Sequence, residues 1–287
     1  MNLKEVKQRI QSVKTTQKIT SAMKLVSAAK LRRAQNAIEG MRPYKQKLDE
    51  ILSSYLRNSD DVSLPFTAER EVKRAAIIMV SSSTSLCGSF NANIIRLSKE
   101  VIDEYSAAGV RVELFPVGKK IHEAVKKMGL PCNDMLMEQA NAISYRAVDA
   151  AATEFMGRFQ AGEYDRIELL YTRFFSAAKQ QPVKELFLPV DVGSIQHAGE
   201  AHSNEYIVEP GREELFEQLL PRVIKLRLFT ALLDSAAAEH AARMMAMQIA
   251  TDNADELIGE LVLEYNKGRQ QAITNELLDI VSGSVNK

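Results

Sequence analysis

Only two cysteines, Cys87 and Cys132, occur in 287 residues, and they form no Cys-x-x-Cys pair. That usage argues against a disulfide framework or a structural zinc site. No apolar run reaches the ~18–20 residues that cross a bilayer, and the opening MNLKEVKQRI lacks the apolar stretch of a signal peptide. The expectation is a soluble chain without direct membrane insertion, cytosolic or held at a membrane face by partners. Phosphate cradles are missing as well. Gly118-Lys119 lacks both the upstream Gly and the following Ser or Thr of a P-loop, and there is no G-x-G-x-x-G. The four histidines, His122, His197, His202 and His240, have no metal-ligand spacing such as H-E-x-x-H. Neither a metal nor a cofactor is expected.

Glycine and proline are also scarce at the two ends, where Gly40 and Pro43 are the only ones in residues 1–57. Steps of three and four land on Leu3, Val6, Ile10 and Val13, then on Leu31, Ala34, Ile38, Met41, Leu48, Leu52 and Tyr55. Between these blocks the frame meets Gln17, Thr20, Lys24 and Ser27, while Ile19, Met23 and Val26 lie about one position off. A seam that rotates around the helix is the expectation from that slip. Near the other end, Ala254, Ile258, Leu261 and Tyr265 form a seam, and Ile273, Leu277 and Ile280 continue an apolar stripe. Pro221 is the strong breaker there, predicting a kink or a fresh helix start. Two such helices imply an antiparallel coiled coil, too long to be covered by its own domain.

The formal net charge is zero, but nine Lys or Arg precede Glu39 against the single acid Glu5. A basic helix marks an acidic or polyanionic partner, unless it is only a solvated face. The long apolar seam on the same helix favours a partner.

The middle of the chain has another character. Residues 75–80 (AAIIMV) read as a buried parallel strand, 110–117, 167–174 and 183–188 as further strands, and 91–108, 119–128 and 144–160 as helices. Alternation at this spacing predicts a doubly wound, Rossmann-like α/β domain inserted between the helical arms. The expected division is an N-terminal helix over 1–57, a linker over 58–74, the α/β domain over 75–208 and a C-terminal helix over 209–287. The polar run 81–91 (SSSTSLCGSFN) is the one candidate for a site within that domain. It reads either as an anion pocket with Cys87 as nucleophile, or as a polar turn over a buried thiol, which is favoured because no base is identifiable. Met244, Met245 and Met247 read as coiled-coil core ahead of an adaptable surface.

The ends of the chain carry a resemblance. Arg9-Ile10-x-Ser12-Val13, with Thr16-Gln17-Lys18-Ile19-Thr20-x-Ala22-Met23, resembles the N-terminal helix of the gamma subunits of F-type ATP synthases. Residues 235–247, Ala250-Thr251-Asp252-Asn253-Ala254, and Tyr265-Asn266-Lys267-x-Arg269-Gln270-x-x-Ile273-Thr274-x-Glu276 are similar to that family's C-terminal helix. Asp279-Ile280-Val281-Ser282-Gly283 and the central Leu86-Cys87-Gly88-x-Phe90-Asn91 also fit. Ser83, Thr84 and Ser85 depart from the Asp, basic residue and Gly usual before Leu-Cys-Gly, and Gly283-Ser284 replaces Gly-Ala.

The resemblance implies a non-catalytic rotor stalk peripheral to the cytoplasmic face of the cell inner membrane. Its partners would be the alpha and beta subunits, the epsilon subunit and the c-ring, with no nucleic acid involved. It implies contacts to beta from Arg269, Gln270, Thr274 and Glu276, coupling roles for Met23 and Arg243, and a position near the c-ring for the region around Tyr206. Two other classes stand beside it. A nucleic-acid-binding coiled coil would use the basic helix, which has no aromatic before Tyr44. A cysteine-dependent α/β enzyme would use Cys87.

Overall fold

A computed structural model describes residues 3–57, 66–68, 70–140, 142–190 and 211–285. Helix α1 spans Leu3–Arg57 and is followed by β1 (Arg74–Val80), α2 (Phe90–Ala107), β2 (Arg111–Val117) and α3 (Lys119–Lys127). A 3-10 turn over Met137–Ala140 leads to α4 (Tyr145–Gln160), β3 (Arg166–Phe174), β4 (Gln180–Leu188) and α5 (Arg212–Val285). Two compact units result, Met1–Ala28 with Arg243–Lys287, and Ala29–Ala242. Both terminal helices contribute residues to each unit.

In the larger unit the sheet order is β2-β1-β3-β4. β1 pairs in parallel with β2 and β3, whereas β4 pairs antiparallel with β3. The strand anticipated at 183–188 is present and longer, but it does not continue a doubly wound parallel layer. The return over residues 175–179 is a tight turn, closed by Lys179 N–H to the Ser176 carbonyl at 3.2 Å, and parallel strands need a far longer crossover.

β1 is buried from Ala75 to Val80 because both faces of the sheet are covered. Ala76, Ile78 and Val80 join one core with Phe115, Phe155, Phe159 and Phe187, completed by Leu48 and Leu52 of α1 and Phe216 to Leu232 of α5. Ile77 and Met79 turn to the opposite core with Ile94, Val101, Ile121 and Val125 of α2 and α3. This division is the period of two expected of a strand. Phe115 and Phe155 meet edge to face with centroids 4.9 Å apart.

α5 runs through Pro221 as one helix, neither ending nor restarting there. Proline deletes the donor for the Glu217 carbonyl. Leu219, Leu220, Val223 and Ile224, all buried, hold both sides of the gap against the core. Arg227 adds a polar anchor, donating to Glu185 Oε1 and to the Leu186 carbonyl, each at 2.9 Å.

Candidate partner-binding site

The smaller unit is built on one seam between α1 and α5. Gln17 Nε2 donates to Asp255 Oδ1 at 2.6 Å, the Thr20 and Thr251 hydroxyls meet at 2.8 Å, and Lys24 Nζ donates to Gln248 Oε1 at 2.9 Å. Leu3 packs against Gly268, where an added Cβ would stand 3.2 Å from Leu3 Cδ2. The residue numbers of these pairs sum to 271 or 272, the signature of an antiparallel register.

The seam does not rotate. Positions 3, 6, 10, 13, 17, 20, 24 and 27 of α1 are all buried or half-buried in an uninterrupted three-four alternation, with 21, 23 and 28 half-buried along its flanks. Those of α5 include 247, 251, 254, 258, 261, 265 and 268 in the same alternation. The frame is kept because the central polar side chains satisfy one another. Thr20 Oγ also contacts the Gln17 carbonyl at 3.0 Å, and Thr251 Oγ the Met247 carbonyl at 2.8 Å. Two hydroxyl protons thus serve three contacts, and the small side chains keep the helices close.

The apolar residues that suggested rotation lie outside. Ile19 is 55% exposed, Val26 57% and Leu25 64%, and on α5 Ile249 is 57% and Leu263 73% exposed. Such side chains on a two-helix surface mark contact with something beyond this unit. The exposed cations Lys7, Arg9, Lys14 and Lys18 share the outward faces of α1. The methionine run divides around the helix, with Met247 buried, Met244 half-buried and Met245 exposed.

The residues singled out from sequence fall as follows. Arg269, Gln270, Thr274 and Glu276 are exposed on the last turns of α5, Thr274 Oγ donating to the Gln270 carbonyl at 2.9 Å. Ile273, Leu277, Leu278 and Ile280 are exposed beside them. Met23 is half-buried and Arg243 is buried at 8% exposure. By register, residue 23 faces 248–249 and Arg243 faces about residue 28, so the two stand more than a helical turn apart along the seam. Tyr206 lies outside the described residues. The sequence reading missed Leu25 and Ile249 as outward residues and the Thr20–Thr251 pair as a seam contact. The hydroxyl pair was findable from the heptad frame of each helix.

The α/β unit offers the other place to look. In an open α/β sheet, ligands bind where strand order reverses, beyond the carboxyl ends of the strands. Here that point lies between β1 and β3, and it is filled: Cys87, Phe90 and Ala238 form a buried cluster joined by Phe174 and Ala242. Cys87 is 2% exposed, and its contacts are Asn91 Nδ2 at 3.1 Å, Ser82 Oγ at 3.8 Å and the Thr84 carbonyl at 3.9 Å. None of these is a base, so Cys87 serves as packing. Asn91 instead ties the turn together, accepting from Ser82 N–H at 3.1 Å. In the same turn Leu86 has φ 66° and is 60% exposed.

A cavity of about 470 Å³ opens among Lys45, Asp49, Tyr171, Arg173, Arg227 and Asp234. Burial pushes the Asp234 carboxyl up to about 6, against the pull of Arg173 and Lys45. Burial also raises Asp49. Glu185 goes the other way: burial raises it, but Arg227, Tyr171 and Arg173 outweigh that and hold it below its ordinary range. Burial, opposed by Arg173, pushes the Tyr171 hydroxyl up to about 12. The network clamps α5 to the β3–β4 hairpin.

Fold and seam together define a protein whose two long terminal helices pair with each other while an α/β sheet, with its ligand crevice closed, is inserted between them in sequence. Residues 2–285 match the family model described as ATP synthase. The chain is 50% identical over 286 residues to the ATP synthase gamma chain of Phocaeicola vulgatus, covering 99% of both chains. It is 43% identical over 288 residues to that of Flavobacterium johnsoniae, covering 99% of this chain and 98% of the other. The chain belongs to the ATP synthase gamma chain family, whose members are not the catalytic subunit. Among solved structures, the rotor of the Euglena gracilis mitochondrial ATP synthase matches with a TM-score of 0.63 at 20% identity, covering 94% of this chain and 98% of that one. The central stalk and c-ring structure from Tetrahymena thermophila matches at 0.56 and 24% identity, covering 81% and 99%. Both likenesses bear on the fold.

Proposed function

We propose that this chain is the central rotor stalk of an F-type ATP synthase. It couples proton-driven rotation of a c-ring to conformational change in a catalytic ring of alpha and beta subunits, for synthesis or hydrolysis of ATP. The observation that carries this reading is the unrotated seam: its own contacts are met inside by polar pairs, while Ile19, Leu25, Val26, Ile249 and Leu263 face out among cations. A surface of that kind fits acidic, partly apolar loops arranged around it.

The physical logic is differential contact. Three catalytic sites of one sequence differ only when something asymmetric touches each differently, and an effector moves an equilibrium only by as much as it prefers one state. In this reading Arg269, Gln270, Thr274 and Glu276 contact beta, Met23 and Arg243 contribute to coupling, and the region of Tyr206 lies near the c-ring. The epsilon subunit joins on the α/β domain. The domain division is a helix over 1–57, a linker over 58–74, the α/β domain over 75–208 and a helix over 209–287. The subunit is peripheral to the cytoplasmic face of the cell inner membrane, and no helix among the described residues is long and apolar enough to cross it.

The test is a reconstituted enzyme carrying Arg269→Ala and Gln270→Ala together. A drop in ATP synthesis at unchanged driving force is expected, and unimpaired coupled synthesis overturns the assignment to beta. The basic helix also suits a nucleic acid, and salt-sensitive binding of DNA by the chain without assembly with alpha and beta would favour that class instead.

A further inference from the structure

Three side chains that the stalk reading does not use converge at one edge of the α/β unit: His122 of α3, with Cys132 and Asp134 of the connection that follows it. One donor atom from each lies within 4.8 Å of the others. His122 Nε2 stands 3.0 Å from Asp134 Oδ1, and Cys132 Sγ stands 3.8 Å from the same oxygen. The imidazole side chain is only 11% exposed, and its Nε2 is buried without a hydrogen-bond partner. The carboxylate is near in distance, but it lies off the ring nitrogen's in-plane direction, too bent for a hydrogen bond. A buried ring nitrogen with no hydrogen bond is left beside the other two donors.

The backbone holds this arrangement in place. Cys132 forms a bridge with Leu114 of β2, and Asn133 N–H donates to the Leu114 carbonyl at 2.8 Å. The Asn133 side chain donates to Glu113 Oε1 at 3.2 Å and accepts from Met135 N–H at 3.1 Å. Residues 132–135 are thereby fixed to the sheet, so the donor set is assembled before any ion arrives. Asp134, 56% exposed, leaves a way in from solvent.

We propose that His122, Cys132 and Asp134 form a site for a borderline-soft divalent cation of the zinc class. The donor set is one imidazole, one thiolate and one carboxylate, which suits such an ion and not magnesium or calcium. Ligand atoms around a tetrahedral zinc stand about 3.3–3.6 Å apart, so closure asks for the widest pair to approach by no more than about 1.5 Å. On binding, the thiol proton leaves to solvent, the sulfur bonds the metal, and a water keeps the fourth position. The effect is a clamp of α3 onto the 132–135 connection. Sequence spacing hid the site because its ligands come from α3 and from the connection after it, which the turn following α3 folds back beside the helix.

The test is titration of the reduced, metal-free full chain with Co²⁺, read by absorption. The expected result is a thiolate-to-cobalt charge-transfer band with tetrahedral visible bands, saturating at one equivalent and erased by Zn²⁺. Cys132→Ser abolishes the charge-transfer band, Cys87→Ser keeps it, and His122→Asn weakens binding at least about tenfold. Zn²⁺ raises the thermal midpoint of the parent chain but not of Cys132→Ser, and metal-free midpoints of the variants check that they fold. A six-coordinate spectrum without charge transfer, or a band that survives Cys132→Ser, overturns the proposal.

Discussion

Gly118 shows how little room a single position can have. Its φ is +95°, and a Cβ there would collide with the carbonyl of Ser81, next to the end of β1. Its own N–H donates to the Met137 carbonyl at 3.1 Å, so the turn cannot move aside. Gly118→Ala should cost about 2–4 kcal/mol in chemical denaturation, from strain and overlap together. Asp234 carries a pH signature. Its folded value is raised to about 6, so the folded state holds the proton more tightly than the unfolded chain does. This group's contribution is most favourable below the ordinary carboxylate range, is lost as pH rises toward 6, and stays lost above it. Because the group is partly solvated, Asp234→Asn should gain only about 1–2 kcal/mol at pH 8 and nothing near pH 4, checked by denaturation at both values.

At the scale of the element, the seam is where sequence and structure part most instructively. The heptad blocks around Leu3–Val13 and Leu31–Leu52 were legible because Leu, Val and Ile announce a buried face. The stretch between them was misread because Thr20 and Ser27 are buried hydroxyls, and hydrophobicity does not register polar side chains satisfied in place, Thr20 by a partner 231 residues away and Ser27 by the Met23 carbonyl. β4 was legible as a strand but not in its direction, since the tight turn at residues 175–179 carries no strong signal beyond its length. The charged residue near the start of β3 was equally silent. Glu168 is buried at 1% exposure because Tyr105 donates to it at 2.7 Å and Arg166 pairs with it at 2.9 Å. The Thr20–Thr251 pair makes a measurable claim. Thr20→Val alone should cost about 0.5–1 kcal/mol in thermal or urea unfolding, and adding Thr251→Val should restore most of it, since both hydroxyls then leave together. Strict additivity of the two would show that the hydroxyls do not interact.

For the whole molecule, the outward residues decide whether the chain assembles. Ile19→Asp with Val26→Asp should leave the isolated chain folded, by circular dichroism, because neither side chain supports the seam. The same variant should fail to form a stoichiometric complex with purified alpha and beta subunits, and with it the complex-dependent ATPase activity. Assembly of the parent chain should weaken as salt rises, reflecting Lys7, Arg9, Lys14 and Lys18. Assembly indifferent to both changes would place the contact elsewhere on the chain.

The closed crevice between β1 and β3 has a bearing on how such a subunit is regulated. With Phe90 and Ala238 occupying the point where an open α/β sheet takes its ligand, adenine nucleotides have no foothold there. The cellular ratio of ATP to ADP is therefore not read at that point of the sheet. A sheet plugged at its switch point by a helix of its own chain offers no purchase there to the very metabolite its assembly makes.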